Sequence, residues 1–169
     1  MERKIEANYK NLERVNNWIS ISDNKAGVIL TFNGILVSYL ITKTPLMKEI
    51  ILQRFLDLPS FSLYLIFCVY AVMVGMSVYF AFKVIYPDIK EKIPSLFFFG
   101  TVAEMELNSF MKKMKELNQE SIEEELINQT YINSKIASTK FTNLKHSVKY
   151  LFLSLAFWAL SLIFIFLLS

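Results

Sequence analysis

The chain has 169 residues, which is room for one domain or one small membrane bundle. Its composition, 54% hydrophobic, 15% aromatic and only 20% charged, is too apolar for an ordinary soluble domain of this length. A net charge of +3 does not indicate a protein that binds nucleic acid polymers, and a single cysteine, Cys68, cannot build a disulfide framework or a Cys-x-x-Cys metal site.

The first 25 residues predict an amphipathic helix. Apolar side chains recur there at spacings of three and four, which gathers them on one helical face. They are Ile5, Tyr9, Leu12, Val15 and Ile19.

Three apolar stretches predict membrane-spanning helices, at residues 26–42, 62–82 and 150–169. A bilayer core needs roughly 20 apolar residues per helix, and continuous runs favour helices over the alternation of a barrel. The sequence therefore predicts an all-α membrane protein with about three transmembrane helices. The spans contain no Asp, Glu, Lys, Arg or His in their cores, which argues against an ion-coupled transporter and fits a passive anchor or an oligomeric channel.

The first two spans carry small residues that favour close helix packing. Asn33 adds a polar side chain inside the first predicted span. Two interpretations of it are open: packing between helices, or lining of a pore. The residues that we expect to pack are Gly27, Thr31, Asn33, Gly34, Ala71 and Gly75, with Ser38 extending the small face of the first span.

Residues 43–61 form the predicted outer connection between the first two spans. Pro45 and Pro59 act there as expected helix breakers, and Ile50 to Leu58 is expected to form an interfacial helix. The distribution of basic residues indicates which side of the membrane each segment faces. Segments 1–25 and 83–149 hold five and ten of them, against three in 43–61, which predicts a cytoplasmic N-terminus and a cytoplasmic middle segment.

The middle segment 83–149 is predicted to be a helical sensing region. A turn-rich stretch, Pro87 to Pro94, leads to Ser95-Leu96-Phe97-Phe98-Phe99-Gly100. Thr101 and Glu104 then have the spacing of a capping box that starts a helix. The apolar face of that helix is expected at Leu107, Phe110, Met114 and Leu117.

A second capping box is predicted at Ser121 and Glu124. From there an apolar pattern without Pro or Gly runs into the third span. We therefore expect one continuous helix from about Ser121 to the C-terminus.

Two features of the middle segment could bind a small anion. Lysines follow one another without acids near the third span, interleaved with hydroxyl and amide side chains, which indicates either attraction to lipid headgroups or a phosphate site. The three consecutive phenylalanines either pack at a helix entrance or offer a stacking platform for a base, and Trp18 fits either use. The polar residues of this candidate site are Asn133, Ser134, Lys135, Ser138, Thr139, Lys140, Lys145 and Lys149.

No motif in the chain indicates an enzyme. There is no P-loop, Gly-x-Gly-x-x-Gly, His-Glu-x-x-His or nucleophile elbow, and the carboxylates have no His or Cys companion at ligand spacing. We therefore expect no catalytic residues, no metal and no cofactor.

Three motifs follow one another in order along nearly the whole chain. The motifs are Trp18-Ile19-Ser20 with Asp23-Asn24-Lys25-Ala26-Gly27 and Leu30-Thr31-Phe32-Asn33-Gly34; Pro94-Ser95-Leu96-Phe97-Phe98-Phe99-Gly100; and Tyr131, Asn133, Ser134, Ile136, Ala137, Lys140 and Phe141. Together they resemble the Pycsar effector transmembrane proteins. Where that family has Ala-Asp before its first span, this chain has Ser22-Asp23.

The resemblance implies an anti-phage effector of the bacterial inner membrane. In that family a cyclase makes cyclic UMP or cyclic CMP after infection, and the effector senses it and impairs the membrane. We also expect a homo-oligomer embedded in the lipid bilayer, with no nucleic acid polymer as partner.

The leading hypothesis assigns roles to the candidate residues. The aromatic walls of the ligand site would be Phe97, Phe98 and Phe99, and its polar partners Ser95, Asn133, Ser134, Lys135 and Lys140. The residues that couple the N-terminal helix to the first span would be Trp18, Asp23 and Lys25. Two alternatives stay open: a membrane-anchored helical protein that recruits a soluble partner, and a constitutive small channel.

Overall fold

The computed structural model describes residues 2–54, 58–86 and 95–168, and these ranges contain helices and no strand. Three helices are long and apolar enough to cross a membrane. The all-α membrane fold with three spans, the last continuous with a long helix, is therefore confirmed. The helices are α1 (Glu2–Arg54), α2 (Leu58–Ile85), α3 (Phe99–Ala103), α4 (Leu107–Glu116) and α5 (Gln119–Leu168).

The break predicted at Pro45 is wrong, because α1 runs through this residue to Arg54. A proline removes one helix hydrogen bond, and membrane helices tolerate this where Ser or Thr side chains bond nearby carbonyls. Thr44 Oγ1 donates a hydrogen bond to Leu40 O over 2.8 Å, one residue before the Ile41 carbonyl that would accept from the missing N–H of Pro45. The expected interfacial helix is divided between the end of α1 and the start of α2, and residues 55–57 lie outside the described ranges, as does the stretch 87–94.

The start of α5 is capped by a pair that lies earlier than expected. Asn118 N donates to Ser121 Oγ over 2.9 Å, and Ser121 N donates to Asn118 Oδ1 over 2.8 Å. This reciprocal pair makes Asn118 the cap, so the box predicted at Ser121 and Glu124 is wrong. The box predicted at Thr101 is also wrong, because Thr101 lies inside α3 and Phe98 precedes that helix without a side-chain cap.

Two compact units make up the chain. We call the first, Met1–Ser22 with Pro87–Lys140, the polar unit, and the second, Asp23–Tyr86 with Phe141–Ser169, the membrane unit. The six boundaries predicted from hydropathy for the membrane segments stay predictions.

The membrane unit is held together by a seam of side chains that repeats at alternating spacings of three and four. This heptad repeat is the pattern of helices that pack side by side with interlocking side chains. The buried positions are Ala26, Ile29, Asn33 and Leu36 on α1, Leu63, Tyr70, Val74, Ser77, Ala81 and Val84 on α2, and Leu144, Ser147, Ser154 and Ser161 on α5.

Hydrogen bonds between helices satisfy most of the polar groups in this seam. Asn33 Nδ2 donates to Ser77 Oγ over 2.9 Å, and Ser77 Oγ donates to the Ser147 carbonyl over 3.1 Å. Ser147 Oγ returns a bond of 2.8 Å to the Ser77 carbonyl. Asn33 Oδ1 is buried and has no hydrogen-bond partner among the described residues. Ser77 on α2 therefore links Asn33 on α1 to Ser147 on α5, in surroundings where an unpaired polar group is costly.

In the part of the chain that the structure describes, the glycines and Ala71 of the first two spans face away from the seam. Gly27 and Gly34 face outward, and a Cβ at either would meet no described atom within 4 Å. The same is true of Gly75, and Ala71 is exposed as well. The seam runs along a different face of α1, so packing by these residues against a second copy stays a prediction.

Candidate functional site

The segment from Ser95 to Phe98 forms a tight turn in the polar unit. The Ser95 side chain is buried, and its Oγ accepts a hydrogen bond of 3.1 Å from the Phe97 amide. The Leu96 amide donates over 3.0 Å to Glu125 Oε1 on α5. Glu125 therefore anchors the turn, although it lies 29 residues away along the chain.

Two of the three predicted aromatic walls are partly open to solvent. Phe97 is 47% exposed and Phe98 is 41% exposed. The Phe98 ring lies against the backbone of Gly100, where an added Cβ would approach Phe98 Cε1 to 2.7 Å. Gly100 therefore allows the ring to lie close to the chain, and the side chain of Phe99 lies outside the described part of the structure.

A polar stripe runs along one face of α5 in the polar unit. Gln129 is 8% exposed, Lys140 is 4% exposed, and Asn133 between them is half-buried. Spacings of four and seven place these three side chains on the same helical face. Asn133 Nδ2 donates over 2.7 Å to Asn16 Oδ1, which ties the stripe to α1. Amide and ammonium groups are seldom buried on the inner face of a helix without a role.

Two of the four α5 residues to which the leading hypothesis assigns a ligand contact are not part of this stripe. Ser134 is exposed, and its hydroxyl donates over 2.7 Å to the Thr130 carbonyl of its own helix. Lys135 is also exposed, with Nζ 4.6 Å from the centre of the Tyr131 ring. The structure thus separates the predicted set into a buried stripe and an outer pair. Gln129 was not predicted, because only its spacing to Asn133 and Lys140 indicates it.

An open depression of about 530 Å³ lies on α1 around Asn16, the partner of Asn133. Lys10 and Arg14 give it a basic character that the sequence analysis, which looked for anion sites in the middle segment, did not identify. Lys10 Nζ lies 2.6 Å from Glu6 Oε1, and this hydrogen bond lowers the pKa of Glu6. The lining residues are Lys10, Glu13, Arg14, Asn16, Asn17 and Ser20.

The three predicted coupling residues all lie within α1. Trp18 is about half exposed, Asp23 is half-buried and Lys25 is exposed. Because α1 is helical from Glu2 to Arg54, they do not occupy a joint between two helices. Their coupling role stays a prediction.

The described residues contain no group of three or more His, Cys, Asp or Glu side chains that could hold a metal ion. The turn and the stripe contain amide, hydroxyl, ammonium and aromatic side chains, which are of the types that can hold a small anion by non-covalent contacts.

Comparison with known proteins shows which family the chain belongs to. The family model described as Pycsar effector protein domain matches residues 7–167. The Pycsar effector protein GmPycTM of Gulbenkiania mobilis is 28% identical over 181 residues, which covers 92% of this chain and 90% of that protein. No solved structure matches the chain. The chain belongs to the Pycsar effector protein domain family.

Proposed function

We propose that this effector binds a cyclic pyrimidine mononucleotide, cyclic UMP or cyclic CMP, in its polar unit and then impairs the bacterial inner membrane. Membership of the family makes the chain an anti-phage defence effector with membrane helices. The ligand, its site, the inner-membrane location with a cytoplasmic N-terminus and the membrane damage are the proposal.

The observation that carries the proposal is the buried polar stripe of Gln129, Asn133 and Lys140. A cyclic mononucleotide has one phosphate charge, which an ammonium group at Lys140 would match. The amides of Gln129 and Asn133 can donate to and accept from a pyrimidine edge. Burial strengthens each such contact, because the local dielectric is lower than in water.

The turn at Ser95 supplies the aromatic part of the site. The open faces of Phe97 and Phe98 would stack on the base, a contact worth about 1–3 kcal/mol per base in alanine substitutions. The bond from the Leu96 amide to Glu125 holds this turn against α5, the helix that carries the polar stripe. The turn at Ser95 and the helix α5 would then contact the two ends of the same ligand.

The response to the ligand would travel along the long helices. A ligand shifts only an equilibrium between states that it binds unequally, so binding must favour one arrangement of the spans. The helix α5 contains both the polar stripe and the third span. In α1 the predicted coupling residues Trp18, Asp23 and Lys25 lie before the outward small-residue face, which we propose contacts a second copy in a homo-oligomer.

The ligand assignment is tested by thermal unfolding of the detergent-purified full chain with cyclic UMP, cyclic CMP, cyclic AMP and cyclic GMP. A ligand at ~100 times its dissociation constant should stabilise the folded state by about 2.7 kcal/mol. We expect the melting temperature to rise with one or both pyrimidine nucleotides and to stay unchanged with the purine nucleotides. No shift with any nucleotide, in protein shown to be folded, would contradict the ligand assignment.

The site assignment is tested by Lys140→Gln, with Lys145→Gln as its matched control. Both lysines lie on α5, but Lys145 is exposed and is not among the ligand contacts of the leading hypothesis. We expect Lys140→Gln to abolish the ligand-induced shift and Lys145→Gln to keep it, with helix content checked by circular dichroism. Equal shifts in the two variants would rule out Lys140 as a ligand contact.

Membrane impairment is tested by release of a trapped dye from vesicles that contain the full chain. We expect release only after the cognate nucleotide is added. Equal release without nucleotide would instead favour a constitutive channel.

A further inference from the structure

A set of stacked rings joins the end of α2 to α5 in the membrane unit. The Phe80 ring is stacked with two rings of α5, and its centre lies 5.0 Å from the His146 ring and 5.6 Å from the Tyr150 ring. The Tyr79 ring lies 5.3 Å from Phe80, and Lys83 Nζ lies 5.0 Å from the centre of the Tyr79 ring. We call these five side chains the ring row. Its contacts run without a break from an ammonium group on α2 to an imidazole on α5.

The ring row lies where the apolar run of α2 ends and that of α5 begins. Lys83 is the first charged residue after the apolar run of α2, in the last turn of that helix. Lys149 is the last charged residue before the apolar run that completes α5. The hydrogen bonds between Ser77 and Ser147 hold the two runs side by side, so both lysines lie at the same surface of the bilayer. Aromatic and lysine side chains in such positions lie among the lipid headgroups.

The charges near the ring row favour an anion as its ligand. The helix α2 contains no Asp or Glu, and α5 contains none after Glu125. Lys83 and His146 are both exposed. The acid that α1 brings to this end of the unit is Asp23, which is half-buried one turn before Ala26 of the core cluster. A lysine ammonium and an imidazole N–H are donors that suit the oxygens of a phosphate.

We propose that the ring row binds the phosphate of an anionic phospholipid, with Lys83 Nζ and an imidazole N–H of His146 as its donors. The stacking on Phe80 restricts the His146 side chain before the lipid arrives, which lowers the entropy lost on binding. A zwitterionic headgroup such as that of phosphatidylcholine fits less well, because it brings a cation close to the two basic side chains. This inference goes beyond the proposed function and does not depend on the nucleotide.

A second Tyr–Lys pair shows why a lipid fits the ring row better than a soluble anion. Lys135 Nζ lies 4.6 Å from the centre of the Tyr131 ring, with the same spacing of four residues, and both side chains are exposed. This pair lies well before Tyr150 on α5, and Lys135 is roughly 22 Å from that residue along the helix axis. A soluble anion can reach either pair, whereas a lipid headgroup reaches only the pair at the membrane surface.

The test is native mass spectrometry of the detergent-purified full chain, without nucleotide. The protein is titrated with phosphatidylglycerol or with phosphatidylcholine of the same acyl chains, and the dissociation constant of the first bound lipid is measured. The variants are Lys83→Gln, which removes the ammonium group, and His146→Phe, which keeps a ring against Phe80 but removes the N–H donors. Lys135→Gln is the matched control, and circular dichroism checks the helix content of each variant.

We expect the first phosphatidylglycerol to bind roughly fivefold more tightly than phosphatidylcholine. Lys83→Gln should remove most of this preference, His146→Phe should reduce it, and Lys135→Gln should keep it. Equal binding of the two lipids to the unsubstituted chain would overturn the proposal, as would equal losses of preference in Lys83→Gln and Lys135→Gln. Displacement of the bound phosphatidylglycerol by millimolar inorganic phosphate would assign the ring row to a soluble anion and overturn the proposal as well.

Discussion

The membrane unit and the polar unit place buried polar side chains in different surroundings. In the membrane unit, Ser77 and Ser147 exchange hydrogen bonds with each other's helices inside the apolar seam. In the polar unit, Gln129 and Lys140 are buried on the inner face of a helix. Lipid offers no hydrogen-bonding alternative, so the polar groups of the seam bond to one another or to backbone carbonyls, except Asn33 Oδ1, which has no partner among the described residues. Where water can enter, a buried amide or ammonium can serve a ligand.

The largest expected effect tests whether packing alone holds the membrane unit. Leu63 is fully buried, and Leu65, two positions along α2, is 54% exposed. We expect Leu63→Ala to lower the free energy of unfolding by about 2–3 kcal/mol through lost packing, at the low end because the unfolded helix stays in apolar surroundings. Leu65→Ala should change it little. The free energy is measured by urea or thermal unfolding in detergent. Equal losses for Leu63→Ala and Leu65→Ala would contradict the assignment of Leu63 to the buried seam.

A smaller effect tests the polar bonds of the seam. Ser77→Ala removes the acceptor of Asn33 Nδ2 and the donor to the Ser147 carbonyl, and we expect a loss of about 1–2 kcal/mol. In an Asn33→Leu background, Ser77→Ala should lower the free energy of unfolding by less, because the bond between Asn33 and Ser77 is already absent. Ser38→Ala is the control, since that hydroxyl is exposed and bonds only Gly34 O of its own helix. Additive losses in this double-mutant cycle would contradict a direct Asn33–Ser77 bond.

The difference between the units also explains what the sequence could predict. Long apolar runs predict spans because a bilayer demands them, and the continuous helix α5 followed from the absence of Pro and Gly. The face that packs was harder to assign. Gly27 and Gly34 are small enough for close packing, but the seam instead uses the heptad positions around Ala26 and Asn33. Small size permits packing on a face without specifying it.

The candidate site was predictable only in part, for a similar reason. The motif residues Asn133 and Lys140 were chosen as polar partners, and they share one helical face. Lys135, chosen with them, lies on another face because it is five residues from one and two from the other. The link from Leu96 to Glu125 joins positions far apart in sequence, and no local pattern indicates it.

The smallest expected effect tests whether the turn at Ser95 is held from α5. In Glu125→Gln the side chain can still accept the bond from the Leu96 amide, but without its charge, and charge-assisted bonds are about twice as strong as neutral ones. We expect local protection of that amide to fall by roughly 0.5–1 kcal/mol, with global unfolding unchanged. The measurement is hydrogen exchange of the peptide that contains Leu96, and Glu124→Gln, at an exposed neighbouring carboxylate, is the control. If both variants exchange alike, α5 does not hold the turn through Glu125, and the aromatic part of the proposed ligand site loses its anchor. If only Glu125→Gln loosens the turn, the same variant should also weaken nucleotide binding, because the ligand would then have to order the turn itself.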